Sequence, residues 1–203
     1  MFDMVEELAA IHRSVVRNDG SDTVSVTLTR AYDADADHVW DALTNPKRLP
    51  RWFNPVSGDF QVGGNFQIEG NASGEILRCD RPIWLQVTFG APNSILDVRL
   101  AEVADQTTVE LTHTVPLAMA GSGAGALFVG PGWDGALLGL GIHLRGTAVG
   151  DPVEAANSPE VVEFNRGSIS RWTETVETSG TATTEEIADA REAAVAQYTT
   201  VPS

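Results

Sequence analysis

Thr23-Val24-Ser25-Val26-Thr27-Leu28-Thr29 alternates without a break, with Val24, Val26 and Leu28 on one side and hydroxyl-bearing residues on the other. Successive side chains of an extended chain point to opposite faces, so this stretch predicts a strand half buried in a sheet. The pattern returns three times downstream. Ile83, Leu85, Val87 and Phe89 share a face, then Leu96, Val98 and Leu100, then Val109, Leu111, His113 and Val115. Gly90-Ala91-Pro92-Asn93 and Ala104-Asp105-Gln106 lie between them as turn signals at hairpin spacing. An antiparallel meander follows. Shorter strands are expected at residues 60–62, 66–68 and 73–79.

Outward from this meander the spacing changes. Phe2, Val5, Leu8, Ile11 and Val15 recur at three- and four-residue steps, predicting an amphipathic helix over residues 2–16, closed by Asn18-Asp19-Gly20-Ser21-Asp22. Acids at 33, 35 and 37 offer caps and first-turn charges to a helix through Val39, Trp40 and Leu43. Asn45-Pro46 reads as the start of a short helix carrying Trp52 and Phe53. After Pro116 a Gly/Ala-rich loop leads to Pro131-Gly132-Trp133 and a helix reaching about Arg145, with Trp133, Leu137, Leu140, Gly141 and Leu144 as its apolar stripe. Ser158-Pro159-Glu160 and Thr183-Thr184-Glu185-Glu186 begin two further helices in the tail. Strands followed by one long helix imply an α+β fold, the helix packed in the concavity of a curved antiparallel sheet. The expected segments are an N-terminal helix at 1–22, a core domain at 23–148 and a helical extension at 149–203.

Twenty-eight acids against 13 bases leave a net charge of −15, and Lys47 is the one lysine. Nucleic-acid affinity comes mainly from Lys and Arg neutralising phosphates, so DNA and RNA are not expected partners. An anionic membrane surface would repel the chain in the same way. The small basic group Lys47, Arg48 and Arg51 reads as a solvated helix face. No apolar run approaches the roughly 18 residues of a membrane helix, and the acidic start, Asp3, Glu6 and Glu7, is unlike a signal peptide. Cys79 is alone and reads as a small buried apolar group; with no disulfide to form, a cytoplasmic location is expected.

The segment Val39-Trp40-Asp41-Ala42-Leu43-Thr44-Asn45-Pro46-Lys47-Arg48-Leu49-Pro50-Arg51-Trp52-Phe53 resembles the first helix and following turn of the START-like, or SRPBCC, superfamily. In particular it is similar to the branch named after the activator of the ninety-kilodalton heat-shock-protein ATPase. Gly63-Gly64-Asn65-Phe66, Gly74-Glu75-Ile76, Val109-Glu110-Leu111-Thr112-His113-Thr114 and the Gly132-Trp133 helix opening fit the same order across residues 23–147. The resemblance implies a helix-grip fold with a cavity between sheet and long helix. Function transfers less directly, because the superfamily spans lipid carriers, hormone receptors, cyclases and co-chaperone modules.

His113 falls on the inward strand face, where it would orient a polar ligand head, act as a general base, or be a hydrogen-bonded core histidine. Trp133 and Leu137 would line whatever space the helix leaves, and Gly141 gives either room for a ligand or close helix–sheet packing. Trp84 and Phe89 complete the candidate ligand-binding set of His113, Trp133, Leu137, Gly141, Trp84 and Phe89. Gly121-Ser122-Gly123-Ala124-Gly125 approximates a dinucleotide fingerprint but lacks the βαβ context, and reads as a mobile loop at the cavity mouth. The four histidines, His12, His38, His113 and His143, lack metal-ligand spacing, and no Ser/His/Asp set can be assembled. No catalytic residue, metal or cofactor is therefore assigned. The expected function is non-catalytic binding of a small, mainly apolar molecule. The alternatives are a co-chaperone-like module that meets a protein partner through an exposed face or its acidic tail, and a cofactor-free cyclase or dehydratase using His113. Apolar faces on the tail or first helix leave a homodimer open beside intramolecular packing.

Overall fold

Residues His12–Asn18 form a strand, β1, where the spacing of residues 2–16 predicts a single helix. The helix α1 covers only Met4–Ala9, its amino end capped by the Asp3 carboxylate, which accepts from the amides of Val5 and Glu6. Ile11 and Val15 point inward at 3% and 6% exposure. Arg13 lies between them, its side chain just 5% exposed. A charge at the middle inward position hides the period of two, so the remaining apolar residues read as helical. This is the computed structural model of the chain, and it describes residues 3–147, 152, 155 and 157–200. Phe2 and the expected boundary at 148 and 149 lie outside the described residues.

A turn at residues 18–22, in which the Asn18 side chain accepts from the Gly20 amide at 3.1 Å, leads into β2, Thr23–Tyr32. Val24, Val26 and Leu28 are buried as expected, and Arg30 and Tyr32 continue the same face at 4% and 5% exposure. Helix α2, Ala36–Thr44, is capped by Asp35, which accepts from the His38 amide at 2.7 Å. Asn45 closes α2 and also opens the next turn as expected, its side chain accepting the Lys47 amide at 2.9 Å and its carbonyl those of Arg48 and Leu49, but the helix that follows is only a 3-10 turn, Leu49–Arg51, which stops short of Trp52 and Phe53. Strands β3 (Val56–Gly58), β4 (Asn65–Ile68), β5 (Ser73–Asp80), β6 (Trp84–Thr88), β7 (Ile95–Val103) and β8 (Gln106–Pro116) complete an eight-stranded sheet of order β1-β2-β8-β7-β6-β5-β4-β3. The strand expected at 60–62 is absent. Phe60 and Val62 are 45% and 61% exposed in a turn held by Asp59 and Gln61, so they had no face to bury. Cys79, expected to be buried, is exposed on β5.

After the short helix α3 (Leu117–Ala120) and a 3-10 turn at Gly123–Gly125, the long helix α4 runs Ala126–Leu144. It begins five residues before the expected start at Pro131, because Ala126 and Leu127 are wholly buried and anchor an extra turn. Segment Gly123–Leu144 is by composition long and apolar enough to cross a membrane, against the expectation of no such run, and 56% of its apolar window is buried inside the fold. That burial is the pattern of a core helix. The Gly/Ala stretch before it is no open loop: Ser122, Gly123 and Ala124 are buried. Helices α5 (Pro159–Ser179) and α6 (Thr184–Thr199) start where their caps predict, Ser158 accepting from the Val161 amide and Thr183 forming a reciprocal capping box with Glu186. The fold is α+β, of helix-grip type.

The chain divides into two compact units. One comprises Met1–Leu28, Thr114–Leu138 and Glu154–Ser203, the other Thr29–His113 and Gly139–Val153. In the first, α5 buries Phe164, Ile169, Trp172 and Val176 and packs on α1 and β1. Glycines permit that approach. A Cβ on Gly130 would stand 2.3 Å from the Trp172 indole, and one on Gly167 would stand 2.5 Å from Leu8. The second unit contains β3–β7, most of β8, α2 and the last residues of α4.

Candidate functional site

In the second unit β8 presents Thr107, Val109, Leu111 and His113 on its buried face. His113 is 5% exposed, and its Nε2 lies 2.8 Å from the hydroxyl of Ser94, itself 3% exposed. Phe89 meets the imidazole edge-on, ring centres 5.6 Å apart. Burial holds the His113 pKa down from 6.5 to about 4, so the ring is neutral at pH 7. A serine hydroxyl beside an imidazole is the spacing of a nucleophile and its base. The chemistry points elsewhere, because an imidazole titrating near 4 is a weak base at neutral pH. In the structure the pair makes one buried hydrogen bond.

Residues 88–94 also wall an open cleft of about 510 Å³ through Thr88, Gly90, Ala91 and Pro92. The facing wall comes from β3, β4 and β5, whose register aligns Gly58, Phe66 and Gly74 in one row across the strands and Ser57, Gln67 and Ser73 in the next. The two glycines are required by space. A Cβ on Gly58 would stand 2.2 Å from the Asn65 carbonyl oxygen, and one on Gly74 would stand 1.8 Å from that of Thr88. Thr88 ties the walls together by accepting the Glu75 amide at 2.8 Å. Glu75 is the one charged side chain in the lining.

The six residues expected to bind ligand are divided by the structure. His113 and Phe89 come together, joined by Ser94. Gly141 faces protein: a Cβ there would stand 3.0 Å from an Arg30 guanidinium nitrogen and 3.3 Å from the Tyr32 ring, so the space is filled by packing. Trp84 lies on the opposite sheet face from Leu85 and Val87, paired with Arg99 across β6 and β7. Its ring is clamped between Arg78 and Arg99 at 3.6 and 3.7 Å, and its N–H donates to Asp97 at 2.7 Å. Half-buried Trp133 and buried Leu137 fall in the other compact unit.

Two polar groups escaped the sequence reading. Arg30 continues the alternation of Val24, Val26 and Leu28, and that register would have placed it inward. Ser94 had no signal, being one more polar residue in a turn. A third cluster joins the end of α4 to residues 41–52. Arg48 donates to Asp41 at 2.8 Å and to His143 Nε2 at 3.1 Å, and Trp52 stacks on the His143 ring. Burial, then the charges of Arg48, Arg51 and His38, push the His143 pKa down. Arg48, with Asn45, holds the Asp41 carboxyl below its usual range. Among the described residues no three His, Cys, Asp or Glu side chains are grouped to hold a metal ion.

The sequence pattern of the family described as "Activator of Hsp90 ATPase homolog 1-like protein" matches residues 33–144. The crystal structure of CalU16 from Micromonospora echinospora is 36% identical, covering 82% of this chain and 98% of that one with a TM-score of 0.66. Its solution structure, also at 36% identity, covers 84% and 97% with a TM-score of 0.68. A conserved protein of unknown function from Enterococcus faecalis, EF2215, shares the fold at 15% identity, covering 85% and 95% with a TM-score of 0.60. No curated protein matches.

Proposed function

The chain belongs to the Activator of Hsp90 ATPase homolog 1-like family, and from that premise we propose that it binds a small, mainly apolar molecule without chemically changing it. The binding region is the end of the sheet where residues 88–94 turn. One observation carries this reading: the same seven residues supply Thr88, Gly90, Ala91 and Pro92 to the open cleft and Phe89 and Ser94 to the buried histidine. In this reading Pro92, Ala91 and the Phe66 ring supply apolar contact in the cleft, and a polar ligand group that takes the place of the Ser94 hydroxyl on His113 gains one oriented hydrogen bond, the usual division of labour in a ligand pocket. The exposed, unpaired thiol of Cys79 suits a reducing cytoplasm as the place of action.

Native mass spectrometry of protein purified gently from its own host, set against its denatured mass, tests the reading. A reproducible adduct of small-molecule size that is lost in His113→Phe supports it. A bare polypeptide, together with amide resonances of residues 88–94 that stay unmoved by a library of apolar compounds, removes it. The protein interaction implied by the family description would then be the reading to test, and the same spectrum reports monomer or dimer.

A further inference from the structure

We propose that α6 is a detachable strap that holds closed the Gly/Ala-rich turn at residues 121–125 and the first turns of α4. It is fastened at both ends. At the amino end the Gly123 amide donates to the Thr181 carbonyl at 3.1 Å, and a Cβ on Gly123 would stand 1.8 Å from the Thr181 hydroxyl oxygen. Glu186 accepts from the Thr183 amide and hydroxyl at 2.7 and 2.9 Å and from the Ser122 hydroxyl, which together draw its pKa down. At the carboxyl end the Tyr198 hydroxyl donates to the Phe128 carbonyl at 2.6 Å and takes a hydrogen bond from the Gly132 amide. This is where α4 is weakest, because Pro131 has no N–H to offer the carbonyl of Leu127. The Asn165 side chain holds the Tyr198 carbonyl at 2.9 Å.

Between these fastenings α6 lies along α5 through a seam of mostly small residues. Its buried residues are Ile187, Ala190 and Ala194, whereas α5 buries Phe164, Ile169, Trp172 and Val176. Apolar stabilisation scales with the area removed from water, so two alanines and one isoleucine make a weak seam. The outer side carries Glu185, Asp189 and Glu192 at three- and four-residue spacing, a like-charge repulsion that loosens the helix further. The end contacts therefore decide whether α6 is docked. Once it leaves, the buried turn at 121–125 is uncovered and becomes the open loop that its composition predicts.

Amide hydrogen exchange on the full chain tests this. Tyr198→Phe keeps the ring and loses the hydroxyl. Exchange at residues 121–132 and within α6 is expected to quicken about tenfold, with α5 and β1 unchanged. Gly123→Ala presses on Thr181 from the other end and should quicken the same segments. Unchanged exchange at 121–132 in both folded variants would overturn the proposal. So would an equal rise in α5 and β1, since the strap would then be an integral part of one cooperative unit.

Discussion

The guanidinium of Arg13 reaches both carboxylate oxygens of Asp134 through a single nitrogen, Nε, at 3.1 and 3.0 Å, with the two side chains 5% and 0% exposed. The Ser168 hydroxyl and the Trp172 N–H complete the carboxylate's shell at 2.5 and 3.0 Å. Burial pushes the Asp134 pKa up, and Arg13, Ser168 and Trp172 pull against it. One acid on α4 thereby ties β1 and α5 to the long helix.

Asp134→Ala is expected to cost about 3–5 kcal/mol, because it strands the Arg13 charge in the interior. Most of that loss should return in the double variant Arg13→Met/Asp134→Leu, which replaces both charges with apolar groups. Urea midpoints of the three proteins check the prediction. A single variant losing under about 1 kcal/mol would mean that water reaches Arg13 and screens it.

Gly130 and Trp172 are packed so closely that an alanine methyl would stand 2.3 Å from the indole. Gly130→Ala should therefore destabilise by about 1–3 kcal/mol, although alanine favours a helix more than glycine does. Trp172→Leu makes room but leaves a cavity and removes a hydrogen bond to Asp134. In that background Gly130→Ala should turn neutral or stabilising. Thermal unfolding of the four proteins closes the cycle, and additive losses would contradict the contact.

The strands that were legible are those with an unbroken run of apolar inward residues, as in Val24, Val26 and Leu28 or Leu96, Val98 and Leu100. β1 was hidden because its middle inward residue is Arg13, whose charge is matched by Asp134, a residue 121 positions away. The same obstacle applies to the site. His113 and Phe89 could be assigned to a buried face by alternation. Ser94, which orients the imidazole, comes from a turn with no periodicity. Trp84 is placed by the same alternation: its even position on β6 puts it on the opposite face from Leu85 and Val87.

Trp84 is expected to be irrelevant to ligand binding. Arg99→Ala removes one of the two guanidinium groups stacked on it, on a partly solvated face, and should cost about 0.5–1 kcal/mol of stability. Affinity for any molecule identified by native mass spectrometry should be unchanged within twofold in that variant. A large loss of affinity there would return the outer sheet face to the candidate site.

His113 should make the chain acid-sensitive in a defined window. Its folded pKa, about 4, lies below the unfolded value near 6.5, so the unfolded state binds more protons between those pH values. The resulting stability is fully present above about pH 6.5 and is lost as pH falls towards 4, by roughly 3 kcal/mol in all. His113→Phe should flatten that part of the stability–pH curve, leaving the slope due to carboxylates. Ser94→Ala at pH 7 should cost about 1–3 kcal/mol by stranding a buried ring nitrogen, and much less once His113 is already phenylalanine. Urea unfolding at pH 7 and pH 4.5 separates these contributions. If His113→Phe keeps the full acid slope, the imidazole is solvated in the native state, and the hydrogen bond offered to a ligand loses its buried setting.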